Sequence, residues 1–179
     1  IKNSLFSTSP MNNVDLSNCK IRGLAFDNIK NANNITFEGS STSYIDLRSS
    51  IFKNCVFSNV VFVDLNINNS IFDNCEFYKT KFISSDLSRN QSFFRNCNFS
   101  KSLFTNSSIS IDPAKYVNCT FKDAMFDSCE IFVDNTRDPA TQIPAGAKVL
   151  SPNYKPLFIL NERLQKISKR NYKERYLIK

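Results

Sequence analysis

Six cysteines are the residues here best equipped for chemistry, because a thiolate is both a nucleophile and a metal ligand. They stand at Cys19, Cys55, Cys75, Cys97, Cys119 and Cys129, with no C-x-x-C pair among them. Zinc needs clustered ligands, and the chain has no histidine at all, so neither a metal centre nor a Cys-His or Ser-His-Asp machine is expected. Three glycines leave little for phosphate-cradling loops, and neither G-x-x-x-x-G-K-[ST] nor G-x-G-x-x-G occurs. No residue is therefore assigned a catalytic, cofactor-binding or metal-binding role. The charged residues Arg89 and Asp112 remain, beside Asp86, near what reads below as a stacked pair of loops.

Charge is unevenly placed. The 179 residues carry +7 overall, of which +6 falls in the last 25 residues, including Arg163, Lys166, Lys169, Arg170, Lys173, Arg175 and Lys179. Such a tail could touch an anionic membrane weakly; it reads first as the solvated side of a helix. Nucleic acid is not an expected partner, since the aromatics are needed elsewhere. No apolar run approaches the ~20 residues of a membrane span. Opening on Ile1 rather than Met, the sequence is expected to be a piece of a longer chain.

The elements that position these residues show themselves as a period of five. Large apolar residues fall at Leu47, Phe52, Phe57, Phe62, Ile67, Phe72, Phe77, Phe82 and Leu87. After two extra residues they resume at Phe94, Phe99, Phe104 and Ile109, and after two more at Tyr116, Phe121, Phe126 and Ile131. A weaker series, Phe6, Met11, Leu16, Ile21 and Phe26, precedes them and joins imperfectly at Phe37. A helix face repeats every 3.6 residues and a strand face every 2, so a period of five demands a turn in every unit. Two residues before each centre lies a smaller inward position, filled by Ser, Thr, Ala, Val, Leu or Cys, Ala114 among them. All six cysteines belong to this class, which makes them buried small hydrophobes and implies a reducing destination.

Residue types also sort by fours. One column, Leu47, Ile67, Leu87, Ile109 and Ile131, is aliphatic and the other three are aromatic; both insertions fall at one corner. Four units then make one coil, with Phe rings stacked inside and backbone groups paired between coils about 4.8 Å apart. The sequence resembles the pentapeptide-repeat family at this point: Asp15-Leu16, Asp46-Leu47 and Asp86-Leu87 keep the Asp-Leu pair of the family's A-(D/N)-L-x-x unit, while most units have Phe for Leu and Ser or Cys for Ala. The resemblance implies an all-β solenoid, a right-handed four-sided β-helix over residues 1–132. After it the prolines 139, 144, 152 and 156 indicate an irregular linker, 133–156. Leu157, Leu160, Leu164 and Ile167 then indicate a basic helical cap or connector, 157–179.

Outward positions before the centres are mostly polar on two walls, with Asp46, Asn66, Asp86, Ser108 and Glu130 on one of them. On the other two they are apolar: Ile51, Ile71 and Phe93 in one file, Val61, Leu103 and Met125 in the other, interrupted by Lys81. Apolar files on an outer wall indicate a covering partner, either a foreign protein or a neighbouring segment of the same chain. A non-catalytic protein-interaction module is therefore expected, with no cofactor. Phe, Asn and Ser richness, the proline link and the basic helix also resemble the front domain of secreted bacterial effectors of the HECT-like E3 ubiquitin ligase type. That resemblance implies a host-cytosol destination, with the bacterial cytoplasm otherwise. The alternative implied by the repeat family is a stand-alone protein binding DNA gyrase as a DNA mimic, against which stands a rod of net +1 over residues 1–154.

Overall fold

Each five-residue unit makes one wall of the rod and the corner that ends it. The computed structural model describes residues 32–43, 45–88 and 92–156, together with the strands Leu5–Ser7, Met11–Asn12, Lys20–Arg22 and Ala25–Asp27. The corner residue two places after a centre has positive φ, between 49° and 62° at fifteen non-glycine positions from Asn34 to Ser128, and 69° at Gly39; at the insertion corner Ile111 and Val133, which follow Ile109 and Ile131, do not. Asparagine and aspartate tolerate the left-handed region better than other side chains, which explains why so many corners are Asn. Asn34, Asn54, Asn74, Asn96 and Asn118 occupy one corner throughout. Along it Asn74 Nδ2 donates to Asn54 Oδ1 at 2.7 Å and Asn118 Nδ2 to Asn96 Oδ1 at 3.3 Å.

Coils stack in parallel, each residue over its equivalent 20 to 23 places away. Phe52 pairs with Phe72, Phe82 with Phe104, Ile109 with Ile131, and Ile131 with Tyr154. Two opposite walls are continuous sheets. One has six strands, Met11–Asn12, Ala32–Asn33, Ile51–Lys53, Ile71–Asp73, Phe93–Arg95 and Tyr116–Val117. The other has seven: Lys20–Arg22, Ser41–Ser43, Val61–Val63, Lys81–Ile83, Leu103–Thr105, Met125–Asp127 and Lys148–Val149. Between them stand two walls joined by single bridges over much of their length, such as Val56 to Glu76 and Asn66 to Asp86. The aliphatic one of these becomes a four-stranded sheet from Asp86–Leu87 to Asn153–Pro156.

The difference between the wall types is a hydrogen bond. On the bridged walls the centre is followed by a reverse turn: Ser40, Val60, Thr80, Ser102 and Ala124 N–H groups donate to the carbonyls of Phe37, Phe57, Phe77, Phe99 and Phe121. The positive φ at the third residue makes these type II turns. There the residue before the centre accepts from the N–H two places on, as Asp46, Asn66, Glu76, Asp86 and Asn98 do from Arg48, Asn68, Tyr78, Ser88 and Ser100. This side-chain acceptor is the physical meaning of the Asp-Leu pair. On the sheet walls no such acceptor is needed, so apolar residues occupy the same position.

Inside, the rings stack by coil. Along the column Phe37, Phe57, Phe77, Phe99 and Phe121, centroids are 5.1, 4.9, 4.7 and 4.8 Å apart. Neighbouring columns meet edge to face, as Phe77 and Phe94 do at 76°. Ser110 Oγ, outside the inward file, is buried without a partner among the described residues. Buried hydroxyls in that file are satisfied across coils, with Ser102 Oγ donating to the Phe77 carbonyl at 2.7 Å and Ser107 Oγ to that of Phe82 at 3.2 Å. Cys55, Cys75, Cys97 and Cys129 are buried free thiols that donate to carbonyls in the same way, while Cys119 is half-buried where the six-stranded wall ends. Burial pushes the Cys75 and Cys129 thiols up, keeping them neutral. Cys19 lies outside the described residues.

The structure departs from the sequence reading in three places. The imperfect join before Phe37 is a regular coil whose centres are Ala32, stacked on Phe52, and Thr42, stacked on Phe62. The stretch 133–156, expected to be irregular, is partly drawn into the rod, because Lys148–Val149 and Asn153–Pro156 add to two walls. Before them, after the strand Glu130–Val133, a loop carries the 3-10 turn Pro139–Gln142, and the Gln142 side chain clasps Asp134 N–H and C=O at 2.8 Å each. Ile143, Ala147, Val149 and Tyr154 pack on the core and close this end. Gly146, at φ 80°, sits where a Cβ would come within 3.2 Å of Lys122 Cα. Third, Ala114 is exposed rather than inward, as described below. The helical segment expected at 157–179 lies outside the described residues.

Two measurements check this account. Phe77→Ala should cost about 3–5 kcal/mol in denaturant unfolding, because the ring is stacked on both faces. At the corner, Asn74→Ala should cost about 1–2 kcal/mol and Asn74→Gly clearly less, since only glycine takes a positive φ without a steric penalty.

Candidate functional site

The two apolar files proposed from the sequence lie on the two continuous sheets, on opposite sides of the rod. Ile51, Ile71 and Phe93 are in register on adjacent strands of the six-stranded wall. Ile51 and Ile71 are half-buried, and Phe93 is 46% exposed. Their wall neighbours are Lys53, Asp73 and Arg95, of which Arg95 and Asp73 pair at 3.0 Å. The structure thus joins each file internally and keeps the two apart.

On the seven-stranded wall the register runs Val61, Lys81, Leu103, Met125, Lys148. Met125 is 37% exposed and Leu103 half-buried. A second outward file, unnoticed in the sequence, widens this patch. Val63 and Ile83 are in register and half-buried, and Leu150 is exposed further along. The signal was present as an apolar residue just after Phe62 and Phe82; attention to the position before the centre hid it.

The corner beside this wall is the other feature sequence reasoning missed. Lys79 and Lys101 occupy it in successive coils with φ of 55° and 58°. Both amines lie over the Tyr78 ring, 5.2 and 5.6 Å from its centroid. Lys122 follows on the next coil, exposed, with Asp123 at its corner.

Arg89 and Asp112 were expected at the insertion corner, on two stacked loops of successive coils. Arg89 lies outside the described residues. Asp112 is exposed and makes a turn, its Oδ1 accepting from Ala114 N at 2.9 Å and its carbonyl from Lys115 N. This turn shifts the chain by one place, so Ala114 faces solvent and Lys115 turns inward, only 3% exposed. The Lys115 amine donates to the Leu87 carbonyl at 2.5 Å. Burial pulls its pKa down to about 7, against the opposing pull of Asp86 and Asp112. Next to it Tyr116 takes the place of a Phe, stacked on Phe94 at 5.2 Å with its hydroxyl buried and without a hydrogen-bond partner among the described residues. Burial pushes that phenol up as well. Among the described residues no three His, Cys, Asp or Glu side chains converge as metal ligands, and no helix is long and apolar enough to cross a membrane.

Four walls of stacked five-residue units around aromatic columns define a pentapeptide-repeat β-helix. Residues 43–77 match the family model described as pentapeptide repeats, in 8 copies. No curated protein matches the chain. Among solved structures, a trypsin-treated form of QnrB1, a plasmid-mediated fluoroquinolone resistance protein, is similar at 17% identity, covering 92% of this chain and 91% of that one with a TM-score of 0.46. HetL, a pentapeptide repeat protein involved in heterocyst differentiation regulation from the cyanobacterium Nostoc sp. strain PCC 7120, is similar at 6% identity over 86% and 87% of the two chains, TM-score 0.29. Rfr23, a pentapeptide repeat protein from the cyanobacterium Cyanothece 51142, is similar at 8% identity over 87% and 89%, TM-score 0.22.

Lys115 makes stability depend on pH. The unfolded amine takes up its proton near pH 10.5 and the folded one only near 7, so falling pH favours the unfolded chain across that window. Unfolding free energy should therefore fall by about 1.4 kcal/mol per pH unit from this group as pH drops from 9 to 7.5. In Lys115→Met this increment should vanish, as urea titrations of both proteins at those pH values will show.

Proposed function

We propose that the chain is a non-catalytic protein-interaction module that binds partners through the outer surfaces of its two continuous sheets. The observation that carries this reading is the coincidence of the apolar files with those sheets and with nothing else on the rod. Ile51, Ile71 and Phe93 lie on one, and Val61, Leu103 and Met125 on the other. The bridged walls present Asp, Asn, Ser, Thr and Glu at the equivalent position, with Val56 the single apolar residue there among the described residues. A rigid, flat, parallel sheet with aligned aliphatic side chains offers a large contact area at little entropic cost. The placement of this module in front of a HECT-like ubiquitin ligase rests on the sequence resemblance alone.

A second reading, binding of DNA gyrase as a DNA mimic, draws on the repeat match and on Asp46, Asp86 and Glu130, which stand on alternate coils of the aliphatic wall. The asparagine and serine between them, and the Arg48–Asp46 pair at 3.0 Å, give that wall far less charge than a duplex backbone. Inhibition of gyrase supercoiling by the purified chain would favour this reading.

Ile71→Glu and Leu103→Glu test the first reading, one on each sheet. Both side chains point outward, so each variant should keep the wild-type circular dichroism melt and lose the partners of its own wall in capture from a lysate. Two variants that melt normally and keep every wild-type partner would overturn it.

A further inference from the structure

The two sheet walls are not equivalent in charge. On the six-stranded wall Arg95 is paired with Asp73, and Lys53 is the one lysine among the described residues of its strands. Along the seven-stranded wall stand Lys81 and Lys148 within the sheet, and Lys79, Lys101 and Lys122 along one edge, all exposed. Among the described residues none of these five amines forms an ion pair. The carboxylates of this surface are Glu38 and Asp123 on the same edge, Asp127 in the sheet and Asp64 at the opposite corner.

Lys79 and Lys101 are there against a local preference. At every other described position with positive φ the residue is Asn, Asp, Ser or Gly; these two alone carry long side chains in the left-handed region. Backbone strain of this kind is kept where the side chain serves something else. Both amines are gathered over the one Tyr78 ring, so two like charges are held close together with no carboxylate between them. Beside them the sheet is apolar at Val61, Val63, Ile83, Leu103 and Met125. A polyphosphate would match the lysines and leave this floor uncovered. An extended protein segment alternating acidic and apolar side chains matches both.

Resting on the interaction-module reading and narrowing it, we infer that the seven-stranded wall is the binding face for an acidic, apolar-containing protein segment, anchored by its carboxylates along the Lys79–Lys101 edge. The other wall then serves a different partner or none.

The test uses the whole chain and four labelled probes in fluorescence anisotropy: a short peptide alternating Glu and Leu, its Lys-Leu and Glu-Ser counterparts, and a short DNA duplex. The Glu-Leu peptide should bind, more weakly as salt rises, and the Lys-Leu and Glu-Ser peptides should not. Lys79→Asn combined with Lys101→Asn should weaken binding at least about tenfold while raising the melting temperature, because asparagine suits a positive φ better. Leu103→Ser should weaken binding by a similar factor, and Ile71→Ser on the opposite wall should leave it within about twofold. Unchanged binding in the double lysine variant overturns the inference, as does equal binding of the duplex that ignores Leu103→Ser, which marks a general polyanion site. Loss on Ile71→Ser instead overturns it while leaving the module reading intact. The module reading itself fails only with the two glutamate variants above.

Discussion

A left-handed residue at the end of each five-residue unit is the constraint on which the rest of the rod depends. It turns the chain through a corner after so few residues that a wall holds only one large inward side chain and one small one. Because the turn recurs at the same place in every coil, equivalent residues lie one above another at the spacing of parallel strands. Only then do rings stack at 4.7 to 5.6 Å in three columns. The asparagine-rich composition is the chemical trace of this backbone conformation. A β-branched residue suits that conformation badly, and Ile111 and Val133 stand two places after a centre only at the insertion corner, where φ is not positive.

Two kinds of wall follow from how the outer N–H of each unit is satisfied. A bridged wall favours a side-chain acceptor before the centre and is polar there at every described position but Val56. A sheet wall satisfies its backbone within the ladder and is free to carry isoleucine, leucine or methionine. The apolar surface of the rod is thus permitted by hydrogen bonding before it is used for anything. The lysine edge concentrates positive charge on one of these surfaces, while the other carries Lys53 beside the paired Arg95 and Asp73.

Much of this was legible in the order of residues. The fivefold spacing from Leu47 to Ile131 gave the coils, and the aliphatic column gave the corner that tolerates insertions. Ala32 and Thr42 escaped notice because a column centre need not be large when the rings above it fill the space. Lys115 escaped because the turn at Asp112 moved the register by one, and a lysine is not expected to face inward. The strands at Lys148 and Asn153 were hidden by prolines, which parallel pairing at the edge of a stack tolerates when their missing N–H faces away from the neighbour. The lysine corner could be found only after the backbone showed positive φ, since two lysines 22 residues apart carry no signal on their own.

The strand pairings all join residues 20 to 23 places apart, from one coil to the next. Such a chain behaves as a one-dimensional array in which each coil knows only its neighbours. Loosening can begin within a single coil and need not spread, so the rod breathes locally long before it melts as a whole. A partner laid lengthwise along a wall would bridge several coils that otherwise communicate only in series. It would act as a splint, and its own binding energy would reappear as resistance to opening, in proportion to the number of coils it spans.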